Sequence, residues 1–156
     1  MTDQDRTSAK HVLERNIAAL NARDIGAYLA NQRPDVEFLL PGGATLQGRE
    51  QVRQYTEALW QAFPDATLTF GDQVLADNVA ATEVVFTGTH TGPMPTPSGP
   101  IPPTGRPVTL RSASILRIED GLVASEHVYV DQLDLMTQLG LLLPAAQNAS
   151  DNRPTQ

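Results

Sequence analysis

The segment PPTGRPVTLRSASILRIEDGLVASEHVYVDQLDLMTQLG, from Pro102 to Gly140, decides the fold of this chain. From Val108 to Ile118 its side chains alternate between two sets, as they do in a β-strand. Asp120-Gly121 then supplies residues that tolerate a positive φ, and the stretch from Leu122 to Val130 is rich in Val. The segment therefore predicts two long antiparallel strands joined by a tight turn.

A short helix is expected after the second strand. Asp131 can act as its N-cap, because the carboxylate accepts hydrogen bonds from the free N–H groups of a first helical turn. Gly140 tolerates the positive φ with which many helices end. The apolar side chains of this helix recur at helical spacing and are Leu133, Leu135, Met136 and Leu139.

The residues before this segment predict three helices and further strands. Apolar side chains recur at helical spacing from Ser8 to Leu29, which predicts a long helix, a turn and a short helix that Pro34 ends. A third helix is expected from about Arg49 to Phe63. The further strands are Val36 to Leu40, Thr67 to Leu75 and Val79 to Thr91. This order predicts an α+β fold, with the helices on one face of a strongly curved antiparallel sheet.

The length of 156 residues predicts one domain with a single substantial core. We expect this domain to cover residues 1–144 and to be followed by a flexible tail, residues 145–156. Residues 92–107 contain seven prolines, so they are expected to form a semi-rigid surface loop rather than a strand or helix. Such a loop could be a lid or a rigid rim.

Composition excludes several classes of function. The chain has no cysteine, and therefore no disulfide, thiolate nucleophile or cysteine-ligated metal. Its net charge is −7 without a basic run, which argues against nucleic acid as a partner. No stretch approaches the ~20 apolar residues of a membrane span, so we expect a soluble, cytoplasmic protein. The three histidines are isolated in the sequence, and we expect neither a metal nor another cofactor.

The quoted segment also resembles a known family. PPTGR before the first strand, RIEDG at the turn and DQL…QLG after the second strand are similar to the SnoaL-like polyketide cyclases of the nuclear transport factor 2-like superfamily. The motifs LPGG…LQGREQV, AFPDA and GTHTGP extend the resemblance over residues 8 to 143. It implies a cone-shaped fold with an apolar pocket between the helices and the concave face of the sheet. It also implies a homodimer formed through the opposite face.

The family's catalytic pair is replaced in this sequence. In the SnoaL-like cyclases an aspartate on the last strand acts as general acid or base in the closure of a polyketide ring, and a histidine on the preceding strand assists it. The resemblance places these two positions at Val128 and Ser114. Neither side chain can transfer a proton near neutral pH, so the usual cyclase mechanism does not carry over.

Glu126 is the carboxylate that remains within reach of the predicted pocket. It lies two residues before Val128 and so on the same, otherwise apolar, face of the strand. Burial there would raise the pKa of its carboxyl group and make it a usable proton carrier. In the alternative, Glu126 lies at the cavity mouth, solvated or paired with Arg111 or Arg117.

Each of the other candidate residues has a structural alternative. His90, beside the Pro-rich loop, could shuttle protons near neutral pH, or it could bond a loop carbonyl and hold the loop in shape. Asp131 matches a frequent family aspartate, but helix capping explains it. His127 and Tyr129 lie on the strand face opposite Glu126, as a dimer surface or in solvent. The predicted substrate-binding residues are Phe38, Trp60, Phe63, Ser112, Ser114 and Val128. In the alternative, the aromatic residues at 60 and 63 are simply core.

Three functions fit these observations. The first is a cofactor-independent cyclase, isomerase or hydrolase that acts on a mostly apolar carbonyl or epoxide compound, with Glu126 and His90 as its catalytic residues. The second is a non-catalytic protein that holds a lipophilic ligand. The third is a dimeric interaction module that uses the sheet face around His127 and Tyr129. A buried Glu126 at the base of a pocket favours the first, a pocket without an ionisable group the second, and a filled cone the third.

Overall fold

The computed structural model describes residues 8–142 and has an α+β architecture. The predicted tail, residues 145–156, lies outside the described residues. The helices are α1 (Ala9–Asn21), α2 (Ile25–Ala30), α3 (Gly48–Ala62) and α4 (Gln132–Gln138). The strands are β1 (Gln32–Leu39), β2 (Thr45–Gln47), β3 (Thr67–Leu75), β4 (Val79–Thr89), β5 (Pro107–Glu119) and β6 (Leu122–Val130).

The deciding segment folds as predicted, into β5, a tight turn, β6 and α4. Asp120 and Gly121 have φ values of 51° and 75°, which is the left-handed conformation that a two-residue hairpin turn requires. Asp131 caps α4 by accepting a hydrogen bond of 3.0 Å from the backbone N–H of Asp134. Gly140, with a φ of 71°, follows the end of the helix.

The six strands form one curved, unclosed sheet in the order β2-β1-β6-β5-β4-β3. Neighbouring strands are antiparallel, as predicted, except β1 and β6, which are parallel. The reason is that β1 and β6 are joined by a long connection through the other elements, and no tight turn fixes their relative direction.

Pro34 lies inside β1, whereas the sequence predicts a strand that begins after it, at Val36. The pairing of β1 with β6 shifts in register between Gln32 and Glu37, and Pro34 falls in this irregular stretch. Because proline has no backbone N–H to donate, such an interruption is where a strand tolerates it.

The buried apolar side chains form two separate clusters. The first cluster lies where α1 and α2 cover the sheet and consists of Ala9, Val12, Leu13, Ala19, Tyr28, Leu29, Val36, Phe38, Val52, Ala80, Leu116, Ile118 and Val123. The second cluster lies toward the Pro-rich loop and α4 and consists of Ala62, Phe63, Met94, Val108, Leu110 and Leu139. Burial of these side chains from water is the main force that holds the helices on the sheet.

On several elements, polar side chains lie between the residues of the first cluster and those of the second. On β5, Ser112 and Ser114 stand between the residues of one cluster and those of the other. Thr82 occupies this level on β4, Glu126 on β6 and Thr56 on α3. We call these five residues the polar layer. All of them except the half-buried Ser112 are buried, and burying a polar group is costly unless it is hydrogen-bonded, so their recurrence on four elements marks a candidate site.

The Pro-rich loop, residues 92–107, folds back on itself. The backbones of Met94 and Ile101 exchange two hydrogen bonds of 2.9 and 2.8 Å, and both side chains pack in or against the second cluster. The peptide groups of His90 bond those of Gly105 and Arg106 at 2.8 and 2.9 Å. The loop is therefore tied to the core both at its base and near its tip.

Candidate functional site

Glu126 is the ionisable side chain of the polar layer and is only 7% exposed. On β6 it stands beside Phe38 of β1 and Leu116 of β5. Its carboxyl oxygens have separate partners. The Ser114 hydroxyl donates to Oε1 at 2.5 Å, and the Tyr28 hydroxyl approaches Oε2 at 3.5 Å. Glu126 is thus held between a strand neighbour and a helix residue.

Burial raises the pKa of the Glu126 carboxyl group, because the charged form loses its hydration. The hydrogen bonds from Ser114 and Tyr28 favour the charged form and partly oppose this rise. Since Glu126 is buried while Arg111 and Arg117 are exposed, the alternative of a solvated or arginine-paired carboxylate at the cavity mouth is wrong. A carboxyl group in this environment can hold and release a proton closer to neutral pH than a solvated one.

Ser114 and Val128, where the resemblance predicts the family's catalytic pair, face each other across β5 and β6. Ser114 donates to Glu126, as described above, and Thr82 is its partner on the other neighbouring strand. The Ser112 hydroxyl is held by the backbone carbonyl of Val84 at 3.2 Å. Ser114, Val128 and Glu126 therefore form one contiguous patch, and Ser112 extends it toward the second cluster.

The predicted aromatic residues are spread over the molecule. Phe38 is buried in the first cluster and neighbours Glu126, whereas Phe63 is buried in the second cluster. Trp60 is half-buried, with the guanidinium of Arg23 at 5.9 Å from its ring centroid. Phe38 borders the polar layer directly, while Trp60 packs toward the turn between α1 and α2.

His90 is fully buried and anchors the Pro-rich loop. Its Nδ1 accepts a hydrogen bond of 3.2 Å from the backbone N–H of Thr104 and lies 3.1 Å from the hydroxyl of that residue. The imidazole stacks on Phe63, with 5.2 Å between the ring centroids. Burial lowers the pKa of His90, which favours the neutral ring that this Nδ1 contact requires. The structure places His90 at the second cluster and not in contact with Glu126.

Tyr28 is the site residue that the sequence did not predict. In the sequence it is one apolar position of a short helix, and nothing local distinguishes it from a core residue. Its contact with Glu126 joins residues 98 positions apart. Only the packing of α2 on the sheet brings the two side chains together.

Two surface depressions lie away from Glu126. One, of about 490 Å³, lies between α1 and α2 and is lined by alanines together with Arg15, Asp24, Asn31 and Leu122. The other, of about 320 Å³, lies on the outer face of the sheet around Arg111 and Tyr129. Size alone would favour the first, but the buried, hydrogen-bonded ionisable group is in the polar layer, which makes that layer the better candidate.

Within residues 8–142, no group of three or more His, Cys, Asp or Glu side chains is placed to hold a metal ion. None of the described helices is long and apolar enough to cross a membrane.

Comparison with solved structures finds the same fold in several bacterial proteins. A candidate SnoaL-like polyketide cyclase from Jannaschia sp. CCS1 has 18% identity and a TM-score of 0.77, covering 90% of this chain and 94% of that one. IdmH, a candidate polyketide cyclase from Streptomyces antibioticus, has 26% identity and a TM-score of 0.69, covering 84% and 97%. A protein from Catenulispora acidiphila with a ketosteroid isomerase-like fold has 21% identity and a TM-score of 0.67, covering 84% of this chain and 93% of that one.

Sequence comparison agrees with this fold. A search of curated proteins found no significant match. The sequence profile of one family, however, matches residues 10–139, which include all six strands, three complete helices and most of α1. The chain therefore belongs to the SnoaL-like polyketide cyclase family.

Proposed function

We propose that this protein is a cofactor-independent enzyme that moves protons on a small, mostly apolar carbonyl compound, as a cyclase or isomerase. The observation that carries this proposal is the buried Glu126, hydrogen-bonded by Ser114 at the level that separates the two apolar clusters. A pocket at this level would offer apolar walls above and below and hydroxyl groups in its middle, which suits a ligand with oxygen functions on an apolar frame.

The proposed chemistry begins at the Glu126 carboxylate. It removes a proton from a carbon next to a carbonyl group, and the electron pair of the broken C–H bond moves to the carbonyl oxygen as an enolate. In an isomerase, the protonated Glu126 returns the proton to another carbon of the substrate. In a cyclase, the enolate carbon attacks a second carbonyl of the same molecule, and the proton goes to the new alkoxide. Each sequence restores the carboxylate and consumes no co-reactant.

The relationship to IdmH supports a cyclase among these possibilities, since that protein is itself a candidate polyketide cyclase. The replacement of the family's aspartate and histidine by Val128 and Ser114 argues that the proton carrier has moved within the site. In this proposal Glu126, two residues away on the same strand face, takes that role. Phe38 and Val128 would contact the apolar part of the substrate.

Exchange of carbon-bound protons tests this proposal without knowledge of the natural substrate. Aromatic 1,3-diketones would be incubated with the protein in D2O, and loss of their α-proton signals followed by ¹H NMR. General acid–base catalysis contributes about 10² to 10⁴ in rate, so Glu126→Gln is expected to lose at least about 10²-fold of the exchange rate. Glu83→Gln, at an exposed position of β4, is the matched control and should exchange at the wild-type rate. Full activity in Glu126→Gln would overturn the proposal.

A non-catalytic binding protein is the second candidate, favoured by the Val128 and Ser114 replacements. It predicts that native mass spectrometry of the protein from its own host shows a retained small molecule, while the diketones show no catalysed exchange. In either case we propose a cytoplasmic homodimer that uses the outer face of the sheet, where Tyr129 is 52% exposed. The same face would serve the third candidate, an interaction module.

A further inference from the structure

We infer that Tyr28 is a positioning residue for Glu126: its hydroxyl orients the second carboxyl oxygen and keeps the carboxylate available as a base. This role rests on the proposed function of Glu126. The contact joins α2 to the middle of β6, with 3.5 Å between the Tyr28 hydroxyl and Oε2 of Glu126. Both side chains are buried, Tyr28 to 3% exposure, so water does not compete freely for either group.

Tyr28 is itself held in place through its backbone and through the helix that carries it. The backbone N–H of Ala27 donates to the Asp24 carboxylate at 2.9 Å, which caps the start of α2. The side-chain amide of Gln32 donates to the carbonyl oxygen of Tyr28 at 3.2 Å and to Asn16 at 2.8 Å. A six-residue helix would have little stability alone, and these bonds fix its orientation. The ring of Tyr28 packs in the first cluster, so its hydroxyl meets Glu126 from one direction.

The two carboxyl oxygens are held unequally. Ser114 is 2.5 Å from Oε1, a short contact typical of a charge-assisted bond, whereas Tyr28 is at the outer limit of hydrogen bonding from Oε2. Catalytic hydrogen bonds are often long in the absence of substrate and tighten in the complex. Oε2 is therefore the more weakly held oxygen, which suits it to act on a substrate, and Tyr28 is the donor that orients it.

Tyr28 can donate this bond throughout the neutral range. Its pKa is raised well above the ordinary value by burial and by the charge of Glu126, so its hydroxyl stays protonated. The groups facing Glu126 are Phe38 from β1, Leu116 and Ser114 from β5, and Tyr28 from α2. Of these only Tyr28 is titratable, and it carries no charge at neutral pH. Burial raises the pKa of Glu126, and the hydroxyl groups of Ser114 and Tyr28 lower it.

Titration of Glu126 itself tests the role directly. The protein would be labelled with ¹³C at the glutamate side-chain carboxyl, and the Glu126 signal assigned by its absence in Glu126→Gln. Tyr28→Phe removes the hydroxyl while keeping the ring that packs in the first cluster, and the pKa of Glu126 is expected to rise above the wild-type value. Tyr55→Phe is the matched control, because Tyr55 is a half-buried tyrosine of α3, and its variant should titrate as the wild type does. An unchanged Glu126 pKa in Tyr28→Phe would overturn the inference.

The diketone exchange assay separates this inference from the proposed function. In Tyr28→Phe the acidic limb of the rate profile should move to higher pH together with the NMR titration. If Glu126→Gln loses exchange but Tyr28→Phe leaves the Glu126 titration unmoved, only the role of Tyr28 fails. If Glu126→Gln exchanges at the wild-type rate, the proposed function fails whatever the titration shows.

Discussion

Glu126 is a carboxyl group whose protonation must be linked to folding, because burial makes its pKa higher in the folded chain than in the unfolded one. Below the unfolded pKa both states bind the proton, and the favourable neutral form is fully present. As pH rises, the unfolded chain releases this proton first, whereas the folded chain keeps it until the pH passes its higher pKa. The contribution of Glu126 to stability is therefore lost as pH rises.

Glu126→Gln should remove this pH dependence, since the amide keeps the size of the side chain and cannot ionise. The melting temperature of the variant minus that of the wild type is expected to increase as pH rises from the ordinary pKa of a glutamate carboxyl group toward the raised pKa of Glu126 in the folded chain. Thermal unfolding followed by circular dichroism measures it. Glu83→Gln, an exposed position, should give a flat difference over the same range. A flat difference for Glu126→Gln as well would mean that Glu126 is not buried as described.

The end of α3, the end of β4 and the Pro-rich loop meet at Gly92. The backbone N–H groups of Thr91 and Gly92 both donate to the Ala62 carbonyl at 3.1 Å. A Cβ atom added to Gly92 would lie 2.1 Å from the carbonyl oxygen of Gln61. That oxygen belongs to backbone and cannot rotate away, so only glycine fits without moving the helix end.

Gly92→Ala should destabilise the protein by about 1–3 kcal/mol, the usual cost of overpacking at a tight site. Chemical denaturation followed by tryptophan fluorescence measures the loss, since Trp60 lies on α3. Gly71→Ala is the control, because a Cβ atom at Gly71 would make an ordinary contact of 3.4 Å with the Glu83 side chain. Equal stability of the two variants would show that α3 and the loop do not approach as closely as described.

The elements also show what the sequence could predict. Bounds of β3 and β6 follow from local patterns, and the structure reproduces them as Thr67–Leu75 and Leu122–Val130. The parallel pairing of β1 with β6 has no local signal, because the strands are far apart in the chain. The site behaves in the same way. The face of Glu126 follows from strand alternation, but its contact with Tyr28 depends on how α2 packs.

For the whole molecule, the two faces of the sheet have different roles. The helices and both clusters cover one face, so the residues of the polar layer point toward the helices. The other face carries Ala113, Ile115 and Val85, all half-buried, next to the exposed ring of Tyr129. Tyr129 pairs with Ala113 across β6 and β5, so these side chains form a continuous surface.

This surface is where we expect two copies of the chain to associate. Tyr129→Glu would place a carboxylate within the interface, where loss of its hydration opposes association, while the 52% exposure of Tyr129 means that the single chain loses little packing. Light scattering coupled to size-exclusion chromatography should give twice the chain mass of 16.8 kDa for the wild type and the single mass for the variant. Leu133→Glu changes a side chain that is 66% exposed on α4 instead, and it should remain a dimer. A wild-type protein that elutes as a monomer, or a Tyr129→Glu variant that stays dimeric, would show that the outer face of the sheet is not the interface.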